Sequence, residues 1–358
     1  MVKTEFKTSY GKKIIFMKNY NELVRMKNNS KENFKVKPIK NFLYKVKKKI
    51  ISVLIPPNDF LSDVFVYSTL IEFIESLGIK MKFKSSHDIG GLEGYISRIL
   101  SIEGISENCS YSDIEKLSLN QKTLNYKTLI YLVLIKVIKI FDKNSLLGKY
   151  PNMFGYYPSN KNKFFNIKVR TFPKVPVFEN QDFLKINKSY DLITSLRSLD
   201  HFDFKKIFKK VSDSMNENGI FAFLVCYWWW PVNNTLFIGN FPYAQQRLSS
   251  KDFKKYVEMF HKSEKKEILK RYNYFHRGFQ PTLDDYIKEA KKNGLDLLNY
   301  KRLMPIEKNG PRTGLPPIEL EQFKDFSYNN ILEEIKSFKN GVSLVDLKTA
   351  YLICVFQK

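Results

Sequence analysis

The sequence predicts an α/β fold built around a largely parallel sheet. Short apolar runs typical of strands alternate with amphipathic stretches that predict helices, most regularly over residues 190–226 and 283–303. Connections of this kind are right-handed crossovers, which place helices on the faces of a parallel sheet. The second observation is a glycine-rich loop at 88–94 (DIGGLEG) that runs directly into an apolar helical segment.

The first predicted helix and strand lead into that loop. Ser62 and Asp63 can cap a helix over 64–77, whose apolar residues share one face. The strand that follows, over 81–86, carries two lysines where a buried parallel strand should be nearly all apolar. The remaining predicted elements are helix 95–102, strand 108–113, helix 124–141, strand 191–195, helix 203–215, strand 220–226, a helix capped by Ser249, helix 283–292 capped by Thr282, strand 295–303 and a last strand over 349–356.

The glycine loop indicates a cofactor site. Glycines let the backbone approach a ligand and adopt positive φ, and a helix N-terminus offers free N–H groups to a carboxylate or phosphate. Asp113 ends the next strand at a distance typical of an acid that accepts hydrogen bonds from ribose hydroxyls. A tight turn for the loop, and a surface turn for Asp113, are the alternatives.

Composition narrows the class of protein. The chain has 358 residues and a formal net charge of +24, which raises the possibility of a nucleic-acid or anionic-membrane partner. The excess of positive charge comes mostly from lysines scattered from end to end, so it is only weak evidence for a partner of either kind. The three cysteines are far apart and predict neither a disulfide framework nor a metal site. Lysines interrupt the longest apolar stretch, 124–141, and the first ten residues do not resemble a secretory signal, which favours a soluble, cytoplasmic protein.

Several segments, in chain order, resemble the class I S-adenosylmethionine-dependent methyltransferases. Residues 88–94 resemble the glycine loop of that family, 190–202 its fourth strand and following turn, 215–223 the entry to its fifth strand, and 350–356 its last strand. The resemblance covers about 60–115 and 177–358. It implies a doubly wound, mostly parallel seven-stranded sheet with an antiparallel last strand, and S-adenosylmethionine as the cofactor. We expect a lysine-rich N-terminal extension over 1–55 and a methyltransferase domain over 56–358, with insertions at about 114–176, 227–281 and 304–345.

The resemblance also implies which residues bind the cofactor. Asp88 and the loop glycines Gly90, Gly91 and Gly94 would shape the methionine end of the cofactor site. Asp113 would hold the ribose, Asp182 would meet the adenine amino group, and Ser195 would line the cleft. For Asp182, a turn cap is the alternative. Leu92 stands where the family usually has a further glycine, so the loop is expected to follow a different path.

The acceptor site is predicted from the segment after strand 220–226. All three tryptophans lie there, and flat aromatic walls with polar donors suit a sugar or another small polar molecule. Packing of the insertion onto the body is the alternative role for the tryptophans. Methyl transfer is an in-line displacement helped by positioning and a base, for which His201 and His276 are candidates. The predicted acceptor-binding residues are Trp228, Trp229, Asn233, Tyr243 and Arg247.

The sequence therefore predicts methyl transfer to a small-molecule or glycan hydroxyl, without a metal. Nucleic-acid methylation is one alternative, and a degenerate scaffold that binds cofactor without turnover is another. A nicotinamide dehydrogenase is disfavoured, because residues 88–94 lack the G-x-G-x-x-G spacing of that class.

Overall fold

A seven-stranded sheet organises the chain. The computed structural model describes residues 3–17, 58–115, 120–141, 167–170, 174–229, 243–276, 280–303 and 327–358. A separate antiparallel hairpin comprises β1 (Lys3–Lys7) and β2 (Lys13–Met17). The strands of the main sheet are β3 (Phe83–Ile89), β4 (Ser106–Ser112), β5 (Val177–Glu179), β6 (Tyr190–Leu196), β7 (Met215–Cys226), β8 (Asp296–Leu303) and β9 (Tyr351–Gln357).

The strand order confirms the predicted fold class. In the sheet the order is β5-β4-β3-β6-β7-β9-β8, which is 3-2-1-4-5-7-6 when the seven strands are numbered along the chain. Strands β3 to β7 are parallel to one another, and β9 is antiparallel to both β7 and β8. The order reverses between β3 and β6. At such a switch point the loops leave in opposite directions and open a crevice at the carboxyl ends of the strands.

Both faces of the sheet are covered. Strand β7 alternates its side chains between two separate apolar clusters, with Phe221 and Phe223 in one and Ala222 and Leu224 in the other. The described helices are α1 (Asn58–Ser76), α2 (Tyr95–Ile102), α3 (Gln121–Phe141), α4 (Phe204–Asp213), α5 (Ala244–Arg247), α6 (Ser250–Phe260), α7 (Lys265–His276), α8 (Leu283–Lys292), α9 (Tyr328–Lys336) and α10 (Leu344–Lys348).

Two helices start at the side-chain caps that the sequence predicts. Ser249 caps α6, and Thr282 caps α8 in a reciprocal capping box with Asp285, as predicted. The prediction that a helix starts after Ser62 was wrong, since α1 already begins at Asn58. A pair of prolines directly precedes α1, and proline fixes φ near the helical value without needing a hydrogen-bonded N–H.

Strand β3 extends further than the sequence predicted. Its buried part is 86–89, so the lysine at 84 lies on the exposed N-terminal portion and does not interrupt the core. Asp88 therefore lies within the strand instead of following it. His87 is buried beside it, with ring nitrogens 2.8 and 2.9 Å from the hydroxyls of Ser110 and Ser112 on β4. Burial lowers the pKa of His87 to about 3, so the ring is neutral at pH 7.

The N-terminal hairpin packs on the main body. Phe6 and Ile14 are buried in the same apolar cluster as α6, and the backbone N–H and hydroxyl of Ser9 both donate to the carboxylate of Asp252. The three cysteines are unpaired. Among the helices that the structure describes, none combines the length and apolar character needed to cross a membrane.

Replacement of His87 tests the burial of β3. Between pH 6.5 and about 3 the unfolded chain binds a proton that the folded chain refuses, so this histidine costs stability as pH falls. We expect the free energy of unfolding of the wild type, relative to His87→Gln, to fall by about 2 kcal/mol from pH 7 to pH 5. Urea titrations at both pH values measure it. An unchanged difference between the two proteins would contradict the burial.

Candidate cofactor and acceptor site

The glycine loop is clamped between two strands. The N–H groups of Gly90 and Gly91 both donate to the carbonyl of Ser112 at the end of β4, at 2.9 and 3.2 Å. Gly90 has φ of 70°, and a Cβ there would lie 2.6 Å from Cβ of Ser198, in the turn after β6. A Cβ on Gly94 would lie 2.5 Å from the ring of Tyr111. Packing within the protein therefore accounts for these glycines, and it holds the loop close to both neighbouring strands.

Asp88 lies beneath this loop. It is buried, and the hydroxyl of Thr194 on β6 donates to its Oδ1 at 2.7 Å. A Cβ on Gly91 would lie 2.7 Å from Oδ2 of Asp88, so the loop covers the carboxyl group directly. Burial raises the pKa of Asp88 to about 7, and the bond from Thr194 opposes that rise. The structure thus places Asp88 directly under the glycine loop, and its role at the methionine end of the cofactor stays a prediction.

Asp113 lies at the outer side of the loop. One carboxylate oxygen accepts from the N–H of Leu92 at 3.0 Å and the other from the N–H of Glu115 at 2.9 Å. Each oxygen keeps a lone pair, so the group can still accept from two hydroxyls of a ligand. Leu92 has φ of 43° and is 55% exposed, and Ile114 is 71% exposed. Two apolar side chains thus border the acid on the surface.

Helix α2 presents an open N-terminus to this region. Its N-cap is Gly94, with φ of 67°, and no side chain caps the helix. The first N–H groups of an uncapped helix are donors that favour a carboxylate or phosphate.

Ser195 supports the loop and does not line a cleft. The resemblance implied a position in the cleft, but Ser195 is fully buried and its hydroxyl lies 2.8 Å from that of Ser198. The Ser198 hydroxyl in turn donates to the carbonyl of Ile89 at 2.6 Å. Because Ser198 uses its proton on Ile89, Ser195 donates to Ser198. The two serines therefore fasten the end of β3 to the turn after β6.

That turn carries an acid that the sequence analysis did not select. Residues Leu199–His201 form one 3-10 turn, and Oδ1 of Asp200 is buried with no hydrogen-bond partner among the described residues. Burial raises the pKa of Asp200 to about 7, and a hydrogen bond from its own backbone N–H and the charge of Arg197 oppose that rise. The signal available in the sequence was an acid in the turn a few residues after a predicted strand.

The two candidate histidines lie on neighbouring elements. His201 ends the 3-10 turn and is half-buried, and α7, which packs against this turn, ends at His276. The side chain of His276 lies outside the described part of the structure. Their role as bases stays a prediction.

The other predicted acceptor residues make contacts within the protein. The indole of Trp229 donates to the carbonyl of Pro281 at 3.1 Å, and the hydroxyl of Tyr243 donates to the carbonyl of Leu347 at 2.7 Å. Arg247 donates from Nε and Nη2 to the Glu334 carboxylate at 2.6 and 3.0 Å. These contacts agree with the alternative that the insertion packs onto the body. Trp228 is buried, with its ring 6.3 Å from that of Tyr272, and Asn233 lies outside the described residues.

Asp182 acts as a turn cap. Its Oδ1 accepts from the N–H of Leu184 at 3.0 Å, at the start of the 3-10 turn Phe183–Lys185. This agrees with the alternative role for Asp182. A contact with adenine stays a prediction.

Comparison with known proteins gives structural likeness alone. No protein-family model and no curated protein sequence matches the chain. A methyltransferase from Mesorhizobium loti is 11% identical, with 80% of this chain and 96% of that chain covered and a TM-score of 0.38. Phosphoethanolamine N-methyltransferase 2 from Haemonchus contortus, in complex with S-adenosylmethionine, is 15% identical over 83% and 57% of the two chains, with a TM-score of 0.37. Magnesium protoporphyrin IX methyltransferase from Synechocystis is 9% identical over 82% and 79%, with a TM-score of 0.35.

The strand order and directions described above define the fold. The chain has the class I S-adenosylmethionine-dependent methyltransferase fold, as the sequence resemblance implied. The similar structures act on different acceptors by their names, so they identify no acceptor for this chain.

Substitution of a loop glycine tests the clamp. Gly90 and Gly104 have nearly the same φ, 70° and 68°, but only at Gly90 would a Cβ meet other atoms within 4 Å. We expect Gly104→Ala to cost about 1 kcal/mol for its backbone conformation, and Gly90→Ala to cost about 2–4 kcal/mol because overpacking adds to that cost. Urea denaturation gives both values. Equal losses in the two variants would show that Ser198 does not press on the loop.

Proposed function

We propose that this protein transfers a methyl group from S-adenosylmethionine to a hydroxyl of a small molecule or glycan. The observation that carries the proposal is Asp113 at the carboxyl end of β4, a surface carboxylate with free lone pairs that contacts the glycine loop leading into the uncapped N-terminus of α2. The fold alone would not distinguish a functional cofactor site from a remnant. An acid and a helix N-terminus side by side provide groups complementary to a ribose and a carboxylate.

The residues at this edge fit the parts of the cofactor. Asp113 would hold the ribose hydroxyls, and the exposed side chains of Leu92 and Ile114 would cover an apolar face of the adenine ring. The open N–H groups of α2 would bind the methionine carboxylate, with Asp88 under the loop on the same side. Asp182 keeps lone pairs that can accept from the adenine amino group.

The cofactor supplies a methyl group on a positively charged sulfur. The residues of the chain position the acceptor and exclude water from the site. The clamp through Ser198 fixes the glycine loop relative to the turn after β6, so an acceptor held by that turn is held at a set distance from the loop. Trp228 and Trp229 close the end of β7 with buried rings, which keeps water from this edge. His201 and His276 are the histidine candidates to take the proton of an acceptor hydroxyl.

A buried amide supports a polar acceptor. Both polar atoms of the Gln245 side chain are buried without a hydrogen-bond partner among the described residues. Gln245 lies on α5, in the segment after β7. An unpaired buried amide costs about 1–3 kcal/mol, a cost that a ligand with hydroxyl groups would remove. This supports a sugar or a comparable polyhydroxyl compound.

RNA methylation is the second candidate, favoured by the net charge of +24. It predicts binding that weakens steeply as salt concentration rises, because bound counterions are released from the polyanion. Binding of a neutral sugar should change little with salt.

Calorimetric titration with S-adenosylmethionine tests the proposed function. We expect both S-adenosylmethionine and S-adenosylhomocysteine to bind the wild type, and Asp113→Ala to lose about 100-fold or more in affinity for each, because two hydrogen bonds to a charged group are removed. Asp213→Asn, an exposed acid at the end of α4, is the control and should bind as the wild type does.

The same titration includes NAD as the competing ligand. The proposal would be contradicted if NAD bound and neither sulfur compound did. It would also be contradicted if Asp113→Ala and the wild type bound the sulfur compounds with equal affinity. Tight cofactor binding with no methylated product from sugars, other hydroxyl compounds or RNA would identify a scaffold without turnover.

A further inference from the structure

We propose that Asp200 is a catalytic residue that binds the reacting group of the acceptor and takes its proton. The inference rests on the proposed function and adds a residue to the site. The chemistry it selects is an acceptor with an O–H or N–H group at the atom that is methylated.

The position of Asp200 is fixed relative to the cofactor loop. Two residues earlier in the chain, Ser198 donates to the carbonyl of Ile89 and fills the space beside Gly90. On the other side of β6's end, Arg197 pairs with Asp63 on α1 and donates its N–H to the carbonyl of Leu224 at 2.7 Å. The turn that carries Asp200 is therefore held on both sides at the carboxyl edge of the sheet, where the crevice opens.

Asp200 differs from the buried acids that support the fold. Asp252 accepts from the N–H and hydroxyl of Ser9 and from the hydroxyl of Ser249. Asp346 accepts from Tyr227, Arg302 and Ser343. In contrast, Oδ1 of Asp200 is buried with no hydrogen-bond partner among the described residues. A buried carboxyl oxygen left without a donor is costly, so Oδ1 of Asp200 points to a ligand that donates to it.

The surroundings of Asp200 suit a proton acceptor. The groups close enough to affect its charge, or to be affected by it, are Arg197, Cys226, Tyr286 and Tyr351, and burial together with the Asp200 charge raises the pKa of the thiol and of both phenols. These three groups are therefore neutral at pH 7. On α7, which packs against the turn, Lys265, Lys266 and Lys270 are exposed. A pKa of about 7 for Asp200 allows it to accept a proton near neutral pH.

The proposed step balances in bonds and charge. A lone pair of the acceptor atom forms the new bond to the methyl carbon, and the carbon–sulfur bond breaks with its electron pair moving to sulfur. The proton of the acceptor's O–H or N–H group passes to Oδ1 of Asp200, and solvent later removes it. The positive charge lost at sulfur is matched by the negative charge lost at the carboxylate.

The test compares affinity for S-adenosylmethionine with affinity for S-adenosylhomocysteine, and it needs no acceptor. The two compounds differ by the methyl group and the positive charge on sulfur, so an ionised carboxylate near that sulfur favours the first one. We expect the ratio of the two affinities in the wild type to rise about tenfold from pH 5.5 to pH 8.5 as Asp200 ionises. Asp200→Asn should show a smaller rise than the wild type, because it lacks one of the two buried carboxyl groups that ionise over this range.

The control variant and a stability measurement complete the design. Asp213→Asn should keep the wild-type rise, and Asp88 is present in every variant compared, so its titration does not distinguish them. A raised pKa means that Asp200 costs stability as pH rises from about 4 through 7, so Asp200→Asn should gain stability relative to the wild type over that range. Asp200→Ser serves as the second variant for the same two measurements.

The outcomes separate the two proposals. If neither sulfur compound binds the wild type, the proposed function fails and this inference fails with it. If both bind but the ratio rises equally in the wild type, Asp200→Asn and Asp200→Ser, the proposed function stands and Asp200 is not near the reacting sulfur.

Discussion

The contact between the end of β3 and the turn after β6 is the constraint on which the site depends. Ser198 donates to the carbonyl of Ile89 and occupies the space that a side chain at Gly90 would need, while Thr194 donates to Asp88 one strand position away. Strands β3 and β6 are the neighbours where the strand order reverses, so this contact spans the base of the crevice. The cofactor loop, the acid beneath it and the turn that carries Asp200 are consequently placed relative to one another by backbone and short side chains, which have little freedom to move.

Patterns over a few neighbouring residues predicted the α/β class and the helix caps, which depend on such short-range patterns. Alternating apolar strands and capped helices predicted the α/β class, and Thr282 and Ser249 were identified as caps because capping involves residues only three positions apart. The number of strands and the antiparallel last strand came from the resemblance. The predicted strand 81–86 starts and ends too early, because the buried end of β3 consists largely of polar residues whose hydrogen-bond partners lie on neighbouring strands. His87 counts as a core residue only because Ser110 and Ser112 on β4 bond both of its ring nitrogens.

The acceptor residues were harder to predict because their partners are distant in sequence. Arg247 pairs with Glu334, 87 residues away, and Tyr243 bonds the backbone of Leu347, so no window around either residue shows that its polar atoms are already used. An aromatic and polar segment after a strand has the same sequence whether it packs inward or faces a ligand. Asp200 was missed because its distinguishing property is a buried Oδ1 that has no hydrogen-bond partner among the described residues, and only the folded structure shows this.

The buried acids of this protein fall into two groups, those with several hydrogen-bond donors and those with few. Asp252 joins the N-terminal hairpin to α6, and Asp346 joins β8 to α10, and each does so with several donors that offset the cost of burying a charge. Asp88 and Asp200 have fewer hydrogen bonds, and burial raises the pKa of each to about 7. A fold selected for stability alone would fill such positions with apolar residues or pair them, since uncompensated burial is a net loss. Asp88 and Asp200 both lie at the carboxyl edge of the sheet beside the switch point. Their burial lowers the free energy of unfolding at the place where a charged ligand would raise it on binding.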